Sequence, residues 1–124
     1  MRMTSKSPPE AQYALRLRKA LQNYYDYGVV DIKIAGSPYQ ESGLPDLICC
    51  IRGYFVGLEI KRSDHLATKK QMAQLNRIDV AGGYSTVVMT HIEPMYVVMR
   101  IDQWIKSKEA GKRRWEIKPS GETT

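Results

Sequence analysis

The chain of 124 residues is poor in metal-ligating and redox-active side chains: it has two cysteines, two histidines and a single phenylalanine. The cysteines are the neighbours Cys49 and Cys50. Adjacent side chains of an extended strand point to opposite faces, so a bond between the two would need unusual backbone geometry. Both are expected as reduced core residues, which suits a reducing compartment. His65 and His91 stand alone, and no spaced Cys and His set offers a zinc site. No apolar run approaches the ~20 residues that span a bilayer. The opening stretch Met1-Arg2-Met3-Thr4-Ser5-Lys6-Ser7-Pro8-Pro9 lacks the apolar core of a secretory leader. The expectation is a soluble, intracellular protein with no membrane partner. Acidic residues are also short: 13 Asp and Glu face 19 Lys and Arg, a net charge of +6. That balance favours an anionic partner, with nucleic acid the first candidate.

What is present is globular. A hydrophobic fraction of 43% against 26% charged residues is the composition of a folded domain, and the length suits one core. We expect a single domain over residues 1–119, with 120–124 as a frayed tail. Ser7-Pro8-Pro9-Glu10 opens a helix to about Tyr25, with Ala14, Leu17, Leu21 and Tyr24 as its buried stripe. Val30, Ile32 and Ile34 alternate with Asp31 and Lys33, predicting a strand with its apolar side buried and Asp31 and Lys33 solvated. A turn-rich loop from Gly36 to Pro45 follows. Asp46 to Ile51 and Tyr54 to Lys61 form a hairpin around Arg52-Gly53. Thr68 or Ser63 caps a second helix that Gly82-Gly83 ends, and Tyr84 to Thr90 is a further strand. The β-branched and aromatic run Met95 to Arg100 reads as a strand, Asp102 as the cap of a short helix to Ala110, and Gly111 to Pro119 as a basic segment with edge-strand character. The class is α/β, an αβββαβ core with a mixed central sheet flanked by helices.

The chemistry gathers in the hairpin. With a two-residue turn, paired positions sum to the same number, so Ile51 faces Tyr54 and Asp46 lies opposite Glu59. Lys61 shares a strand face with Glu59. Two carboxylates held together repel unless a proton or cation intervenes, and hard oxygen ligands select Mg²⁺ or Mn²⁺. Set in strands of Leu, Ile, Cys, Val and Phe, such charges are costly to bury without a task.

Three elements in order, Gly43-Leu44-Pro45-Asp46-Leu47, then Gly57-Leu58-Glu59-Ile60-Lys61, then Gln71 on the next helix, resemble the PD-(D/E)xK nuclease superfamily, and within it the virus-type replication–repair nuclease (VRR-NUC) family. The resemblance runs from Glu10 to about Thr90. It implies a restriction-endonuclease-like fold and a metal-dependent DNA endonuclease, with a homodimeric Holliday-junction resolvase as the viral form. Carried over, it makes Asp46, Glu59 and the Ile60 carbonyl Mg²⁺ ligands and gives Lys61 the attacking water and the scissile phosphate. Glu10 matches a helical acid that supports the metal, but Ser7-x-x-Glu10 is equally a capping box. Gln71, on a stripe with Leu75 and Ile78, could hold Lys61 or a phosphate, or be a satisfied buried amide.

Basic residues are spread as a DNA surface would need them: Arg16, Arg18 and Lys19 on the first helix, Arg62, Lys69 and Lys70 beside the hairpin end, and Lys112, Arg113 and Arg114 next to Trp115. Such groups neutralise phosphates without reading bases. Alternative functions are a nicking or restriction-type nuclease on the same core, and a non-catalytic nucleic-acid-binding module.

Overall fold

In a computed structural model of the chain, residues 9–116 are described, with side chains to Lys112. Ser7, the ends of the expected domain and the frayed tail lie outside them. Seven elements follow one another: α1 (Pro9–Tyr24), β1 (Val29–Lys33), β2 (Leu47–Ile51), β3 (Tyr54–Lys61), α2 (Lys69–Val80), β4 (Tyr84–Met89) and α3 (Pro94–Glu116). The strands form one mixed sheet in the order β1-β2-β3-β4, antiparallel except for the parallel β3–β4 pair. This is the expected α/β class.

Tyr13, Ala14, Leu17 and Leu21 recur at helical spacing on α1 and are buried; Tyr24, expected in that stripe, is 40% exposed. Left-handed Asp26 and Tyr27 end the helix, and the Tyr27 N–H closes back on the Gln22 carbonyl at 2.7 Å, a C-terminal closure of the Schellman kind. Arg52 and Gly53 both adopt positive φ (53° and 87°), as a two-residue primed turn requires. The resulting register pairs Ile51 with Tyr54 and Leu47 with Leu58.

One face of the sheet carries Leu47, Cys49, Ile51, Val56, Leu58, Ile60 and Val88, and packs with α1 and α3 into the main core. The other face is covered by α2 over β3 and β4. Gly57 admits this helix, since a Cβ there would stand 2.5 Å from the Ile78 side chain. The outer face of β1 and β2 is left open. Cys50 is consequently exposed rather than in the core, whereas Cys49 is buried and burial pushes its thiol up to about 12.

Two further expectations are corrected. Met95 to Arg100 is the beginning of α3, not a strand. Val97, Val98, Ile101 and Ile105 are all buried and fall at helical steps across the supposed boundary, and Pro94 starts the first turn, so periodicity overrides β-branched content. Helix α3 continues to Glu116, which removes the cap at Asp102 and makes residues 111–116 of the expected edge segment helical; 117–119 lie outside the described residues. Asp102 instead sits inside α3 at 5% exposure, accepting hydrogen bonds from the Tyr24 and Tyr25 hydroxyls (3.1 and 2.9 Å) and pairing with Lys106 at 3.0 Å.

The second correction concerns β1. Its apolar residues Val30 and Ile32 face outward, 63% and 53% exposed, while the Asp31 side chain is only 3% exposed and forms an ion pair with Arg18. Gln22 donates a further hydrogen bond to it at 3.0 Å. Burial pushes the Asp31 carboxyl up, but the bonds from Arg18 and Gln22 outweigh it and hold the group below its ordinary range. Arg18, expected on a DNA-facing surface, is thus part of the α1–β1 packing.

Candidate functional site

The site lies where β3 runs past the end of its pairing with β2. Regular pairing stops at Leu47–Leu58. Two residues further on, Ile60 would face Pro45, whose ring leaves no N–H to donate. The Ile60 N–H, which a continued ladder would give to the Pro45 carbonyl, donates to the Asp46 carboxylate, Oδ2 at 2.8 Å, and the Asp46 carbonyl accepts from the Ile34 N–H at 2.8 Å. Asp46 is therefore fixed from both sides. The Pro-Asp pair accordingly strips the Ile60 carbonyl of its ladder donor and sets a carboxylate beside it, a role that the missing proline N–H could have signalled in the sequence.

Glu59 is 2% exposed, and Lys61 Nζ stands 3.7 Å from its Oε2. Its other oxygen, Oε1, is buried and has no hydrogen-bond donor among the described residues. Burial first, and the Asp46 charge second, push the Glu59 carboxyl up to about 7, with Lys61 pulling the other way. A donorless oxygen on a buried acid costs free energy unless a proton or cation meets it. The donor set available to a cation is all oxygen: Asp46, Glu59 and the Ile60 carbonyl. These residues fit Mg²⁺ or Mn²⁺ by chemistry. Among the described residues no group of three or more His, Cys, Asp and Glu side chains gathers as a metal cluster, so any such cation would depend on the carbonyl and on water for its remaining ligands.

Glu10 reaches from α1 to the end of β3, and the Ser7 partner of the expected capping box lies outside the described residues. Glu10 Oε2 accepts the Arg62 N–H at 3.1 Å and lies 3.8 Å from His65 Nδ1. Alternate N–H groups of a strand point the same way. Asp46 and Glu10 therefore occupy successive donors on one edge of β3 and flank the Ile60 carbonyl. Gln71 differs from its expected place on the sheet-facing stripe. Its Oε1 accepts the Thr68 N–H at 2.8 Å while Thr68 Oγ1 accepts the Gln71 N–H at 3.1 Å, a complete capping box at the start of α2. The third residue of a helix was the sequence signal for that role.

Among the described residues the basic side chains are spread over α1, the end of β3, α2 and α3. Lys69 and Lys70 are exposed on the first turn of α2, and Arg62, next to Lys61, is paired with Asp64 at 3.1 Å. Arg16 lies 3.7 Å from Glu93. Lys112 sits over the Tyr54 ring at 4.8 Å, at the opposite end of β3 from Lys61, ~23 Å along the strand at 3.3 Å per residue. Arg113 and Arg114 are on the last turn of α3, beyond the described side chains. No helix among the described residues is long and apolar enough to cross a membrane.

No family model and no curated protein matches the sequence. The fold does have solved relatives. A structure described as a VRR_NUC domain superposes with a TM-score of 0.51 at 20% identity, covering 81% of this chain and 97% of the other. A second, a VRR_NUC domain protein, gives a TM-score of 0.51 at 20% identity over 82% and 91%. The chain has the fold of VRR_NUC domains.

Proposed function

We propose that this chain is a metal-dependent DNA endonuclease of the VRR-NUC family, acting on branched DNA such as a four-way junction and working as a homodimer. The observation that carries the reading is the buried Glu59 carboxylate, whose Oε1 has no hydrogen-bond donor among the described residues while its Oε2 lies 3.7 Å from Lys61 Nζ, beside Asp46 and in a fold shared with VRR_NUC domains.

Asp46, Glu59 and the Ile60 carbonyl would hold Mg²⁺ or Mn²⁺. When bound, the ion supplies Lewis-acid stabilisation of the phosphate and a nucleophile at neutral pH. The chain does the rest. Asp46 is immobilised by the Ile60 N–H, so its orientation requires no reorganisation when substrate arrives. Lys61 Nζ, held by Glu59, places a positive charge where a phosphate oxygen gains negative charge, and can orient the attacking water. Glu10 ties α1 to Arg62 and so fixes the strand segment that carries Lys61. Exposed Lys69 and Lys70 would neutralise neighbouring phosphates without reading sequence. Two-fold symmetry of a dimer would match the paired strands of a junction.

Purified protein is incubated with labelled four-way junction, flap and linear duplex, with Mg²⁺, with Mn²⁺ and with EDTA. Cleavage that needs the metal and favours the junction, from a dimer by light scattering at micromolar concentration, is expected. A monomer cutting duplex as fast as junction would remove the resolvase reading and leave the nuclease. Tight DNA binding without cleavage in either metal would leave a binding module.

A further inference from the structure

The loop joining β1 to β2 begins and ends at the candidate site. Its base is closed by the hydrogen bond from the Ile34 N–H to the Asp46 carbonyl. One limb is clamped onto α2: Glu41 pairs with Arg77 at 2.6 Å and accepts from Gln74 at 3.1 Å, and Gln74 also donates to the Ser42 carbonyl at 3.1 Å. Gly43, at φ 81°, lies so close to α2 that a Cβ would stand 2.7 Å from the Lys70 carbonyl oxygen. The tip is a separate small turn. Ser37 accepts the Gln40 N–H on its carbonyl at 3.1 Å and the Tyr39 N–H on its hydroxyl at 3.2 Å, while Pro38 restricts its own φ. The residue this braced arm carries is Tyr39, 96% exposed, the most exposed large hydrophobic among the described residues.

Resting on the nuclease reading of the same site, we infer that Tyr39 is a stacking platform that takes an unpaired base of the DNA and so selects branched over fully paired substrate. An aromatic ring stacks on any base, independent of sequence, but only where that base is not sandwiched in a continuous duplex. Holding the backbone that carries the ring in a braced turn lowers the ordering cost of that contact. The loop returns directly into Pro45 and Asp46, so one continuous segment, closed at its base by Ile34 and Asp46, carries both Tyr39 and the first acid of the candidate site.

The test uses wild type and Y39A, Y39F and Y39W on a branched DNA with 2-aminopurine at an unpaired position beside the branch, and on a matched linear duplex. Binding is read in Ca²⁺ or EDTA by 2-aminopurine quenching and cleavage is read in Mg²⁺. Y39A should lose quenching and bind the branched DNA about five- to a hundredfold more weakly, with Phe and Trp restoring both. Duplex binding should not change. Branched binding and quenching by Y39A equal to wild type, or equal losses on both DNAs, overturns the inference. Absence of cleavage by wild type with Tyr39-dependent quenching intact would instead remove the nuclease reading and leave the stacking platform standing.

Discussion

The Ile60 N–H donates to the Asp46 carboxylate at 2.8 Å, joining β3 to the residue after Pro45 at the point where a proline ends the regular ladder. One aspartate thus has a structural bond and a free charge. These two duties can be separated, because asparagine keeps an acceptor oxygen and loses only the charge.

Asp46→Asn should therefore keep nearly the wild-type melting temperature, whereas Asp46→Ala leaves the Ile60 N–H without its acceptor and should cost about 1–3 kcal/mol. Both variants should be inactive with Mg²⁺ on a labelled junction. Full activity in Asp46→Asn would show that the carboxylate has no chemical role.

Glu59 makes a pH prediction whose sign follows from its raised pKa, about 7 when folded against an ordinary 4.5. The fold favours the protonated acid, so the stabilising contribution is complete below the ordinary value and disappears as pH rises through about 7. Metal-free protein should lose on the order of 3 kcal/mol across that window, and Glu59→Gln should flatten the profile while abolishing cleavage. Affinity for Mg²⁺, measured by calorimetry, should rise with pH over the same interval because the cation and the proton compete for one carboxyl. Equal pH slopes in wild type and Glu59→Gln would place the titration elsewhere.

Glu10 accepts the Arg62 N–H at 3.1 Å, a bond that glutamine can also accept. If its work is to fix the end of β3, Glu10→Gln should retain activity and Glu10→Ala should lose about 1–3 kcal/mol of stability together with turnover. Loss of turnover in Glu10→Gln, at an unchanged melting temperature, would make its charge part of the chemistry.

The hairpin was legible in the sequence because Arg52-Gly53 fixes a two-residue turn, and simple register arithmetic then places Asp46, Glu59 and Lys61 together. Helix α2 was legible through Thr68 and Gly82, its two ends. The facing of β1 was not. Alternation shows that Val30 and Ile32 share a side, but which side is buried depends on α2 covering only β3 and β4, and on Arg18 reaching across from α1 to Asp31. Nor was the beginning of α3, where Val97 and Val98 favour a strand locally and only their spacing to Ile101 and Ile105 reveals the helix. Gln71 was located on the right helix, but local capping took the side chain that a longer-range role would have needed.

The Asp31–Arg18 pair gives the last prediction, and it separates packing from chemistry. Asp31 and Lys33 imitate an acid–base pair in sequence, yet the Asp31 side chain is 3% exposed against α1 and the Arg18 side chain 33%. Asp31→Ala strips a buried guanidinium contact and should cost about 1–3 kcal/mol, less than breaking a fully buried pair because Arg18 still reaches water. Because the folded pKa of Asp31 is depressed, the pair's contribution is present above the ordinary carboxylate range and lost as pH falls below it. Wild type and Asp31→Ala should therefore converge in stability in acid and diverge near neutrality. Cleavage per folded molecule should be unchanged, measured at a temperature where both proteins are native. A variant that melts like wild type but fails to cleave would move Asp31 out of the packing and into the site.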